Sequence, residues 1–79
     1  MEKYELEVKT AITKKKAIVL GRTVTLFGKP RVAVGFLHDA IVFAAEKPRT
    51  ADDCRVWAYT PEELAEFLEE GKLEGAVDL

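Results

Sequence analysis

Arg31-Val32-Ala33-Val34-Gly35-Phe36-Leu37, His38-Asp39, Ala40-Ile41-Val42-Phe43-Ala44-Ala45 is the stretch that decides the fold. Two apolar runs of strand length flank one polar pair, which reads as a β-hairpin. Turning at His38-Asp39 puts Val32, Val34, Phe36, Ile41, Phe43 and Ala45 on one face. The opposite face receives Ala33, Gly35, Leu37, Ala40, Val42 and Ala44, mostly small residues. Both faces are apolar, and strands of that kind expect cover on both sides. His-Asp is a poorer turn pair than Asn-Gly, although both residue types tolerate positive φ better than most. A helix over Asp39–Glu46 is the rival reading. That segment is rich in Ile, Val and Phe and has no polar face, which favours strand.

Upstream, Gly28-Lys29-Pro30 breaks the chain. Before it, Ala17-Ile18-Val19-Leu20, Gly21-Arg22 and Thr23-Val24-Thr25-Leu26-Phe27 read as another hairpin. Gly21 at the first central position fits a type II′ turn. That register sets Leu20 against Thr23, Val19 against Val24, Ile18 against Thr25 and Ala17 against Leu26. Tyr4 to Ile12 alternates between apolar and polar positions, as in a strand with one wet face near an edge.

Downstream, residues 46–53 form a polar loop and Arg55–Tyr59 a further strand. Thr60-Pro61-Glu62-Glu63 then carries a helix start: Thr at the N-cap, Pro at the first helical position and Glu at the third. Leu64, Phe67 and Leu68 make the apolar stripe, and Gly71 is the stop. The helix is predicted over 61–70, with residues 73–79 either docking as a short strand or remaining loose. The expected fold is α+β: an antiparallel β-meander of five or six strands, partly closed as a small barrel or covered by a second protomer, followed by one acidic helix.

Seventy-nine residues suit one domain, 1–79. A chain this short buries a modest core, and small domains lean on disulfides, metals or oligomerisation. One Cys excludes an internal disulfide, and one Cys with one His cannot build a closed zinc site in one protomer. The chain has no Ser, Asn or Gln, while Lys and Glu together make 18 residues. That composition points to a thermophilic source, where thermolabile amides are depleted and Lys and Glu rise. It strengthens the expectation of assembly, with a homodimer favoured. No apolar run approaches the roughly 20 residues of a membrane span. The start of the chain is acidic and alternating, unlike a signal peptide. The expectation is a cytoplasmic protein without a membrane partner.

Catalytic signals are few. There is no serine nucleophile, and Cys54 beside Asp52 and Asp53 sits in an acidic setting that disfavours the thiolate. His38 and Asp39 are adjacent, so on a strand they point to opposite faces and do not form an oriented pair. Asp39, Asp52 and Asp53 lack the spacing of a cation loop. Gly21, Gly28 and Gly35 fall at turns or inside a strand and do not form a phosphate-cradling loop. No catalytic residue, metal site, cofactor or small-molecule ligand is indicated.

Charge is the remaining signal. From Val8 to His38 there are seven basic residues and no acidic one; from Pro61 to Leu79 there are seven acidic residues against Lys72. Sorting of this kind concerns partners more than fold. Lys14, Lys15, Lys16, Arg22, Lys29 and Arg31, with Phe27 as a stacking platform, form a candidate nucleic-acid surface. The layout resembles that of the small SH3-like barrels of archaeal chromatin proteins, although no motif of theirs aligns. Those proteins are strongly basic overall, whereas this chain has a pI of about 5.4. The bland alternative is that the lysines are solvated heads protecting strand edges. The leading expectation is therefore a non-catalytic, self-associating interaction module. Its candidate interface is Ala33, Gly35, Leu37, Ala40, Val42 and Ala44. Nucleic-acid binding through residues 9–31 is the alternative.

Overall fold

The computed structural model describes residues 9–79. Its strands are β1 (Lys9–Ala11), β2 (Lys16–Val19), β3 (Thr23–Leu26), β4 (Lys29–Leu37), β5 (Ala40–Ala45), β6 (Val56–Tyr59), β7 (Leu73–Glu74) and β8 (Val77–Asp78). Helix α1 (Pro61–Glu69) lies between β6 and β7, and a 3-10 turn (Asp52–Cys54) precedes β6. The strands form two antiparallel sheets, β6-β5-β4-β3-β7 and β1-β2-β8. The fold is α+β, with a meander from β3 to β6. The expected strand from Tyr4 lies mostly outside the described residues, and β1 is its last part.

Neither sheet closes into a barrel, which corrects that part of the expectation. The hairpin expected at Gly21-Arg22 is also corrected. β2 pairs with β1 and β8, whereas β3 pairs with β4 and β7. The cause is turn geometry. The Arg22 N–H donates to the Val19 carbonyl at 3.2 Å. That makes Leu20 and Gly21 the central pair, with Gly21 second at φ +87°. Positive φ at the second central position belongs to a type II turn, which splays flanking strands. The chain thus leaves one sheet and enters the other, and the Gly21 N–H docks on the Ala33 carbonyl at 2.8 Å.

The break at Gly28-Lys29-Pro30 is instead a tight hairpin. Leu26 pairs with Lys29 across Phe27 and Gly28, both at positive φ (+52° and +80°). Two positive φ values are the mark of a type I′ turn, whose twist matches that of paired strands. Pro30 is accommodated within β4 opposite Thr25.

The hairpin over 31–45 forms as expected, with Leu37 opposite Ala40 and His38 at φ +55°. One residue alters its faces. The register shifts between Ala33 and Gly35, so that Val34 is unmatched and Ala33, in place of Val34, faces Phe43. An inserted residue of this kind exchanges the faces of everything on one side of it. Ala33 joins Ile41 and Phe43 in the core, all with no exposed surface, while Val32 moves to the outer face with Ala44.

The core gathers Ile18 from the smaller sheet and Ile12 just after β1, Val24, Leu26, Ala33, Ile41, Phe43 and Leu73 from the larger sheet, and Leu64 from α1. Full burial of side chains such as Phe43, Ile41 or Leu64 stabilises by about 1.5–3 kcal/mol each. The smaller sheet and the helix therefore cover the same face of the larger sheet. Helix α1 follows its sequence signals. Thr60 Oγ1 accepts the Glu63 N–H and the Glu63 carboxylate accepts the Thr60 N–H, closing the capping box. At the other end the Gly71 N–H reaches the Leu68 carbonyl and the Lys72 N–H the Phe67 carbonyl, a Schellman stop with Gly71 at φ +79°. The tail docks as two short strands, β7 on the larger sheet and β8 on the smaller, and Gly75 lies at the crossing between them. Among the described residues no helix is long and apolar enough to cross a membrane.

Candidate nucleic-acid interface

Lys29 and Arg31 lie in β4 on the same face as Ala33, because Leu26 faces Lys29, Val24 faces Arg31 and Phe43 faces Ala33. Along one strand the inward face thus passes from two cations to a buried methyl group. Cations are costly to bury without partners, so that end of the face stays uncovered and forms a groove. The groove has two adjoining parts that share Lys29 and Arg31.

The first part, of about 230 Å³, is lined by Leu26, Phe27, Lys29, Arg31, Trp57 and Tyr59. Trp57 and Tyr59 face it because they sit opposite the core residues Phe43 and Ile41 in the β5–β6 register. The Arg31 guanidinium carbon lies 4.2 Å from the centroid of the Trp57 ring, a cation–π stack. Phe27, half exposed, meets Phe67 edge-on at 4.9 Å and Tyr59 at 6.3 Å, and Tyr59 meets Phe67 edge-on at 5.2 Å. Its left-handed backbone is an outlier for a bulky residue. The Phe27 N–H donates to the Lys72 carbonyl at 2.8 Å, which together with the ring contacts holds that conformation. Strain of this sort costs about 1–3 kcal/mol and clusters at ligand-contacting positions.

The second part, of about 350 Å³, is lined by Lys29, Pro30, Arg31, Ala45, Glu46, Lys47, Arg49 and Asp53. Its two carboxylates are already engaged. Glu46 accepts the Thr23 hydroxyl at 2.7 Å, and Asp53 Oδ2 accepts the N–H groups of Arg49 at 3.0 Å and Thr50 at 3.3 Å. The Arg49 N–H bond in particular holds the Asp53 carboxyl below its ordinary value, against the opposing effect of desolvation, with help from Thr50 and from the Arg31 charge. The ion pairs between described residues are Lys16–Asp78, Arg55–Asp52 and Lys72–Glu70. They leave Lys29, Arg31, Lys47 and Arg49 facing the groove. Four cations against two engaged carboxylates make it an anion-attracting surface.

Of the residues singled out from sequence for this surface, the structure brings Phe27, Lys29 and Arg31 together. Lys14 and Lys15 occupy the β1–β2 turn, where Thr13 Oγ1 accepts the Lys15 and Lys16 N–H groups. Lys16 bridges to Asp78 at 2.6 Å, and Arg22 lies in the turn between the sheets. Trp57, Tyr59, Lys47 and Arg49 also line the groove, and nothing in the sequence singles them out. Alternation within Arg55–Tyr59 already placed Trp57 and Tyr59 on one face, but which face was settled by pairing with β5.

The apolar residues proposed for self-association divide differently. Gly35, Leu37, Ala40, Val42 and Ala44 share the outer face of the larger sheet with Val32, Val56 and Ala58. Ala33 lies on the buried face. Leu37 and Val56 are 58% and 60% exposed. His38 and Asp39 stand in the β4–β5 turn, and Cys54, exposed, stands beyond the other end of β5. A strand the length of β5 separates the two places by about 15–20 Å. Among the described residues no three His, Cys, Asp or Glu side chains gather as a metal site would require.

Comparison with protein families, with curated proteins and with solved structures found no match to this chain.

Proposed function

We propose that the protein is a non-catalytic binding module whose ligand is single-stranded nucleic acid, held in the groove between β4 and β6. The observation that carries this reading is the stacking of Arg31 on Trp57 between two parts of one groove, one aromatic and the other cationic. Bases stack on Phe27, Tyr59 and the Arg31–Trp57 pair, while Lys29, Lys47 and Arg49 follow the phosphates. Stacked aromatics beside a cationic track are the usual means of holding a strand without reading its sequence. A duplex hides its base faces, so the aromatic part favours a single strand.

Fluorescence anisotropy of labelled single- and double-stranded oligonucleotides, from low to high salt, tests the proposal. The expected result is tighter binding of the single strand, with log affinity falling linearly in log salt at a slope of about −0.7 per phosphate neutralised. Absence of binding at low salt would overturn it.

Self-association is a second reading, favoured by the apolar outer face of the larger sheet. Leu37 and Val56 are large and mostly exposed there, beside Val32, Val42 and Ala44. Contiguous apolar patches on small proteins mark interaction surfaces.

A further inference from the structure

The larger sheet has one edge that is built differently from the others. β6 hydrogen-bonds to β5, and among the described residues no strand pairs with its other side. Two other sheet edges, β7 and β8, are only two residues long, and each carries a charge: Glu74 and Asp78. Brevity and charge are the devices by which proteins keep edges from pairing. β6 has four residues, Val56-Trp57-Ala58-Tyr59, with neither charge nor proline.

We propose that β6 pairs with β6 of a second copy, antiparallel, about a two-fold axis perpendicular to the sheet. The inference rests on the self-association reading but places the contact at the β6 edge rather than on the outer face. A two-fold is the symmetry an antiparallel strand needs to pair with itself. The charges at the strand ends fit that occupant. Arg55 precedes β6, and Glu62 opens the helix that follows Tyr59. Antiparallel pairing sets each copy's Arg55 beside the other copy's Glu62. Within one copy Arg55 has a loose ion pair with Asp52, at 3.6 Å, with both side chains largely exposed. A perpendicular axis also keeps the faces matched. Val56 and Ala58 of both copies extend one apolar outer face, while Trp57 and Tyr59 of both copies meet on the other side. There the two grooves join into one.

Light scattering after size exclusion, at micromolar protein, reads the mass directly. The expected mass is twice the 8.8 kDa of one chain. Val56→Lys with Ala58→Lys places like charges along the edge at two exposed positions. It is expected to give the single-chain mass with an unchanged circular dichroism spectrum. A charge exchange provides the second test: Arg55→Glu should weaken the dimer at least tenfold, and Arg55→Glu with Glu62→Arg should restore it. The exchange decides the matter if the lysine variant fails to fold. A single-chain mass for the unaltered protein would overturn self-association as a whole. A dimer unaffected by both the lysine and the Arg55 variants would overturn the β6 edge while leaving self-association through another surface.

Discussion

The Arg31 guanidinium stacks on the Trp57 ring at 4.2 Å, joining β4 to β6 across the intervening β5. Neither residue is next to the other in the sheet order. Their contact depends on both side chains rising from the inward face, beyond the edge of the core. Because Trp57 is the chain's one tryptophan, its emission reports on the groove.

Oligonucleotide binding should quench Trp57 fluorescence. Trp57→Ala is expected to weaken single-strand affinity by roughly tenfold to a hundredfold, since base–aromatic stacking contributes about 1–3 kcal/mol per base. Arg31→Lys keeps the charge but loses the planar stack. It should lower affinity while leaving the salt slope nearly unchanged, as read by anisotropy titrations at several salt concentrations.

Charge placement separates the groove from the basic turn. Lys47→Glu with Arg49→Glu should reduce both affinity and the steepness of the salt dependence, because each phosphate contact contributes to that slope. Lys14→Glu with Lys15→Glu, in the β1–β2 turn, should change little beyond a weak long-range effect. Equal losses in the two pairs would spread binding beyond the groove to the β1–β2 turn.

Gly75 has φ +97°, and a Cβ added there would lie 3.2 Å from the Val24 Cα. Left-handed backbone costs a residue with a Cβ about 1–2 kcal/mol, and the contact with Val24 backbone adds to it. Gly75→Ala should therefore lower stability by about 1–3 kcal/mol, read as a reduced midpoint in denaturant. Gly21→Ala is the control for φ alone, since a Cβ there meets no atom within 4 Å.

Asp53 gives the loop before β6 a pH dependence. Its carboxyl is held below the ordinary value in the folded protein, chiefly by the Arg49 N–H. For a group depressed in this way, the stabilisation is present above the unfolded value and is lost as pH falls through the folded one. The Arg49 and Thr50 amide resonances should therefore move together as pH drops below the usual carboxylate range, before the core amides do. Asp53→Asn should abolish that early step and loosen the Arg49 side of the groove at neutral pH.

The helix was legible from local chemistry. Thr60, Pro61, Glu63 and Gly71 each act within a few residues of their own position, so their roles do not wait on the rest of the fold. The hairpin over 31–45 was legible for the same reason: length, composition and one polar pair specify it. The groove was legible only in part. Phe27, Lys29 and Arg31 stood out by type, yet the lysines of the β1–β2 turn stood out equally.

By itself, then, the sequence determined the strands from Thr23 to Tyr59, the capped helix and the uneven distribution of charge. Tertiary structure decided three things: the parting of β2 from β3 into different sheets, the exchange of Ala33 and Val32 between faces, and the meeting of Arg31 with Trp57. Each depends on pairing between distant strands. Alternation has a period of two and tells which residues share a face. A splayed turn at Gly21 or one extra residue at Val34 changes which face that is, and only the packed sheet selects the answer.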